Sequence, residues 1–167
     1  SPHFDVIRAG MKTLGRLSDG IRLGWEAGFD SGRTLDYVYE NRPRGTTALG
    51  CAFDHAYLNS IGWRGIRQRK TNLQKLLRVA LDETAADGHP VRVLDVASGP
   101  GRYLLETLRS FHTAPARALL RDYKAENVAA ARRLANELKL ANVACEQGAA
   151  FDRAALAAIR PRPTIAI

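Results

Sequence analysis

Val91-Arg92-Val93-Leu94-Asp95-Val96-Ala97-Ser98-Gly99-Pro100-Gly101 is the stretch on which the fold turns. Its opening is a β-branched apolar run that suits a buried strand, and the small residues and glycines after it make a tight turn. Beyond the turn, Leu104, Leu105, Leu108 and Phe111 recur at helical spacing. Ala116 to Tyr123 reads as a second strand, and Val128, Ala131, Leu134, Ala135 and Leu138 mark a second helix. Asn142 to Gln147 is a third strand, Ala154 to Ile159 a short helix, and Thr164 to Ile167 the start of a fourth strand. Strand and helix alternate with short connections, which predicts right-handed crossovers and a parallel sheet of about four strands over residues 89–167, an α/β fold.

Upstream of this stretch the rhythm differs. Residues 1–88 show helical periodicity and almost no strand signal, so a helical N-terminal region, a cap or lid packed on the sheet, is expected. Ile7, Met11 and Leu14 share a helical face that stops at Ser18-Asp19-Gly20. Ser31 can cap a short helix carrying Leu35 and Val38, ending near Asn41 to Gly45. Thr46 or Thr47 can cap the next, with Leu49, Phe53 and Tyr57 along one side. The longest helix runs from about Trp63 to Ala86 on a stripe of Leu73, Leu76, Leu77, Ala80 and Leu81, and Asp87-Gly88-His89-Pro90 breaks it. Glycines at 20, 24, 28 and 32 imply close helix packing or bends.

Composition bounds the function. Of 167 residues 46% are hydrophobic and 25% charged, which excludes a disordered chain. No apolar run approaches the ~18–20 residues needed to cross a bilayer, and no signal peptide is visible, so no membrane association and a cytoplasmic location are expected. The net charge is +8, from 13 basic against 10 acidic residues before Pro90 and 12 against 7 after it. Such a spread excess favours anionic partners, nucleic acid among them, without specifying one. Cys51 and Cys145 lack metal or disulfide spacing and read as free thiols. His3, His55, His89 and His112 show no metal-ligand spacing either, so no metal is expected.

The turn at 95–101 sits where ligands of open α/β sheets bind, at the carboxyl ends of the strands. Gly99 and Gly101 let the backbone take φ > 0 and approach a ligand closely. Asp122 ends the second strand, where a carboxylate can accept hydrogen bonds from both hydroxyls of a ribose. A dinucleotide fingerprint fails because Leu104 stands where a third glycine or alanine is required. A Walker loop fails because Arg102-Tyr103 follows Gly101, and a nucleophile elbow fails because Val96 and Pro100 replace its glycines.

An acid closing strand one, a small-residue turn and an acid closing strand two resemble the class I S-adenosylmethionine-dependent methyltransferases. Their first motif reads acid-x-Gly-x-Gly-x-Gly; Asp95, Gly99 and Gly101 match, and Ala97 replaces the first glycine. The segments Tyr37 to Gly45 and Tyr57 to Lys70 resemble a bacterial family assigned as methyltransferases, some joined to an α/β-hydrolase-like domain. The resemblance implies a Rossmann-like domain that binds S-adenosylmethionine. It implies that Asp95 orients the methionine ammonium and that Ala97, Ser98, Gly99 and Gly101 lie against the methionine and ribose. Asp122 would take the ribose hydroxyls, Tyr123 would pack on adenine, and Gly148, Ala149 and Phe151 would border it. One departure stands out: the family carries an acid beside the glycine at this last site, whereas here Ala149 follows Gly148 and the nearest acid is Asp152.

The methyl acceptor and any catalytic base are not legible. A non-catalytic cofactor-binding module is the alternative, and an RNA-binding protein using Arg64, Arg67, Arg69 and Lys70 is a weaker one. Because residues 164–167 begin a fourth strand that nothing flanks, a longer protein or a second copy, as in a homodimer, is expected to complete the sheet.

Overall fold

In the computed structural model, residues 18–167 are described; the expected helix of Ile7, Met11 and Leu14 lies outside them. The chain divides into two compact units, one up to Arg69 and one from Lys70 to Ile167.

In the first unit, α1 (Asp19–Ala27) is capped by Ser18, whose side chain accepts from the Ile21 N–H. The Ser18-Asp19-Gly20 segment therefore starts a helix as well as ending the upstream pattern. Helix α2 (Gly32–Glu40) is capped by Ser31 and closes at Asn41 in the left-handed region, φ 52°. Thr47 caps α3 (Ala48–Leu58). The expected stripe on α3 is displaced: Leu49 and Phe53 are exposed, and the buried positions are Gly50, Asp54 and Leu58. Asp54 is the reason. Its carboxylate is buried and accepts from the Ser18 hydroxyl at 2.6 Å, the Gly20 N–H at 2.9 Å, the Arg44 N–H at 2.8 Å and the Tyr37 hydroxyl. Four donors from three segments turn that face of α3 inward. Three of the four glycines act as expected: a Cβ on Gly20 would crowd the Tyr57 ring, one on Gly24 the Phe29 ring, and Gly28 bends the chain at φ 93°.

Helix α4 (Ile61–Ala86) spans the division between the units. Within the second unit Leu77 and Leu81 are buried and Leu73 packs beside them, whereas Leu76 is exposed. The sheet is β1 (Val91–Val96), β2 (Ala116–Asp122), β3 (Val143–Gln147) and β4 (Ile165–Ala166), in the order β3-β2-β1-β4 with every pair parallel. Helices α5 (Arg102–Ser110), α6 (Ala125–Glu137) and α7 (Arg153–Ala158) are the crossovers. The core takes Leu104, Leu105, Leu108, Phe111, Val128, Ala131, Leu134 and Ala135 against Val91, Val93, Ala118 and Leu120. This is the α/β Rossmann-like sheet of four parallel strands that the alternation predicts. Among the described residues no helix is long and apolar enough to cross a membrane.

Candidate functional site

The order β3-β2-β1-β4 puts the first crossover and the last on opposite sides of β1, so the chain reverses direction at the carboxyl end of that strand. The turn there is built as the motif requires. Ala97, Gly99 and Gly101 take φ of 59°, 57° and 66°. Alanine in the left-handed region costs on the order of 1–2 kcal/mol, so Ala97 holds a glycine's conformation under strain. The Ser98 N–H donates to the Arg121 carbonyl at 3.1 Å, and the Gly101 N–H donates to the Ser98 carbonyl at 3.0 Å. Gly101 needs glycine for its left-handed φ, as its sequence suggests, and also for space: a Cβ there would overlap the Leu120 side chain in the core.

Asp95 is buried at the end of β1. The Tyr103 hydroxyl, in the first turn of α5, donates to its Oδ2 at 2.6 Å, while Oδ1 is buried with no partner among the described residues. Burial pushes this carboxyl up to about 6; the Tyr103 hydrogen bond opposes the rise and the Asp122 charge adds to it. Asp122, also buried, ties loops together: its Oδ2 accepts from the Gly99 N–H at 2.8 Å, and its Oδ1 accepts from the Lys124 N–H at 2.9 Å and Asn127 Nδ2 at 3.0 Å.

The other expected residues stand on the neighbouring loops. Tyr123 follows Asp122 and is exposed, its carbonyl accepting from Gln147 Nε2 at 2.8 Å. The Gly148 N–H donates to the Asp122 carbonyl at 3.0 Å, and a Cβ on Gly148 would overlap the Arg121 guanidinium. That guanidinium is buried, with Nε 2.9 Å from Glu146 Oε1; the N–H is not aligned with the oxygen, so the pair is held by charge. Ala149 and Phe151 lie in the loop after β3, with Phe151 almost fully exposed. Asp152 is engaged: its Oδ1 accepts from the Ala155 N–H at 3.0 Å and caps α7.

Sequence reasoning missed Tyr103 and Asn127. Both sit in the first turn of a crossover helix, where a polar residue can reach back to a strand end; that position beside the apolar stripe was the available signal. The basic cluster is partly occupied: Arg67 Nη1 donates to the Leu58 carbonyl at 2.6 Å, and Lys70 Nζ pairs with Glu106 at 2.6 Å. Cys51 and Cys145 are free thiols. No group of side chains among the described residues could hold a metal ion.

The model of a family described as "Putative methyltransferase" matches residues 2–167, and the chain belongs to that family. It is 48% identical over 164 residues, 98% of its length, to "Uncharacterized protein YnbC" of Escherichia coli K12, and it spans 28% of that relative. Three solved structures overlap it in part. The co-crystal structure of WbdD with a kinase inhibitor covers 53% of this chain and 19% of its own at 24% identity, TM-score 0.44. YjhP from E. coli covers 48% and 29% at 24% identity, TM-score 0.37. A SAM-dependent methyltransferase from Thiobacillus denitrificans, in complex with S-adenosyl-L-homocysteine, covers 45% and 28% at 27% identity, TM-score 0.34.

Proposed function

We propose that this member of the methyltransferase family binds S-adenosylmethionine at the carboxyl ends of β1, β2 and β3, in a protein that transfers the methyl group to an acceptor by in-line displacement. The observation that carries the reading is the turn at 95–101, with its three left-handed residues beside a buried carboxyl oxygen that has no partner among the described residues. An unsatisfied buried acceptor costs free energy unless a ligand supplies the donor, and a cationic ammonium is the donor that suits a carboxylate. The residues present therefore fit the cofactor.

When bound, S-adenosylmethionine supplies a methyl group activated on sulfonium, so the protein's task is alignment rather than activation. Asp95 Oδ1 takes the methionine ammonium. Ala97 to Gly101 present backbone to the methionine and ribose. Asp122 spends three of its roughly four acceptor sites on Gly99, Lys124 and Asn127, and the remaining one, on Oδ2, serves a ribose hydroxyl. Tyr123 and Phe151, left exposed on adjacent loops, flank adenine, while Gly148 and Ala149 offer only backbone to its amino group.

Isothermal titration with S-adenosylmethionine and S-adenosylhomocysteine tests this. Binding of both, lost in Asp95→Asn, is the expected result; a folded chain that binds neither refutes it. A second reading, a module that binds the cofactor without transferring methyl groups, is favoured by Asp152 serving as a helix cap beside an alanine at 149. Methyl-transfer assays on the longer protein separate the two.

A further inference from the structure

We propose that Tyr103 is a positioning residue for the ligand's ammonium group: its hydroxyl occupies Oδ2 of Asp95 and keeps the carboxyl group ionised, reserving Oδ1 for the cation. The proposal rests on the cofactor reading above.

Three observations carry it. The hydroxyl lies 2.6 Å from Oδ2, and Oδ1 has no partner among the described residues, so the carboxyl group has one filled acceptor and one open one. The tyrosine is fixed from behind. Its carbonyl accepts from Thr107 Oγ1 at 2.7 Å and from Gln74 Nε2 at 3.3 Å, and Gln74 also donates to Glu106 at 3.0 Å. Among the described residues, no charged group is set to hold Asp95 ionised. Asp122 on β2 repels it, β4 brings the apolar Ile165 and Ala166, and Lys70 and Arg102 pair with Glu106. Among the described residues, Tyr103 is the group that favours the anion.

The choice of a phenol has a physical logic. A lysine or arginine would hold Asp95 ionised more strongly, but its charge would repel an incoming ammonium. A neutral donor stabilises the anion and leaves the local field negative. Removing the hydroxyl therefore raises the pH at which Asp95 ionises and weakens binding of ammonium-bearing ligands alone.

The experiment titrates Tyr103→Phe and the wild type with S-adenosylhomocysteine and 5′-methylthioadenosine from pH 5.5 to 8.5. The second probe has the adenosine and thioether but no ammonium. The expected result is that the pH midpoint for S-adenosylhomocysteine rises by about one unit in the variant, the size of one hydrogen bond to a charge. Affinity then falls about two-fold at pH 7 and about five-fold at pH 6, while 5′-methylthioadenosine binds unchanged. Coincident profiles, or a parallel loss for both ligands, overturn the proposal. If the wild type binds neither ligand, the cofactor reading fails by itself, and carbon-13 NMR of the Asp95 carboxyl still decides Tyr103: an upward midpoint in the variant supports it and an unmoved one overturns it. Should Tyr103→Phe not fold, 3-fluorotyrosine at 103, a stronger donor, must move that midpoint down.

Discussion

Asp95 and Ala97 each hold an unfavourable state. A carboxyl group pushed up to about 6 ionises in the folded chain at higher pH than in the unfolded one. Between about pH 4 and 6 the native state binds more protons, so its stability falls as pH rises through this window and the cost is complete above it. Asp95→Asn is expected to stabilise the chain at pH 7 by about 2 kcal/mol while abolishing binding of ammonium-bearing ligands. Urea unfolding at pH 7 and pH 4.5 checks it, since the gain must shrink at the lower pH. Ala97→Gly relieves the left-handed strain at φ 59° and is expected to add up to about 1 kcal/mol, read as a raised urea midpoint with an unchanged slope. Asp122→Asn removes the repelling charge, so the Asp95 midpoint in carbon-13 NMR should fall below that of the wild type.

The elements of the sheet were legible because each carries a single dominant signal, whether β-branched run, glycine turn or apolar stripe. Ser31 and Thr47 announced their helices because a side-chain oxygen before an amphipathic run has few other uses. Helix α3 was read one position out of phase because pattern reading assigns apolar residues to the inside, and Asp54 reverses that rule. A buried aspartate is identified by partners distant in sequence, here Ser18, Gly20, Tyr37 and Arg44, which no local pattern reveals. Tyr103 and Asn127 differ: their partners Asp95 and Asp122 are near in sequence, and a polar residue in the first turn of a crossover helix was the local signal. Burial raises the Asp54 pKa, but the four donors together outweigh it and leave it below the usual aspartate value. Its contribution is therefore present above about pH 4 and is lost as pH falls further, the opposite sign to Asp95. Asp54→Ala, which strands those donors, should cost roughly 2–4 kcal/mol in the helical unit. Circular dichroism melts at pH 7 and pH 3 test this: the deficit must be smaller at the acid pH.

Across the whole molecule, two hydrophobic clusters stand apart in the chain, one of Tyr37, Val38 and Leu58, the other spanning β1 to β3 with α5 and α6. Hydrogen exchange on Asp54→Ala should accordingly show faster exchange in α1 to α3 and retained protection in β1 and β2. Uniform acceleration would mean that the chain opens as one unit. The hydrogen bonds that Asp122 makes to Gly99, Lys124 and Asn127 bear on ligand capture. They lock the loops after β1 and β2 into one preorganised cradle, so an arriving ligand meets a finished shape and little conformational entropy is lost on association. Capture should then run at a rate set by diffusion and desolvation, and affinity differences among nucleoside ligands should appear in how slowly they leave.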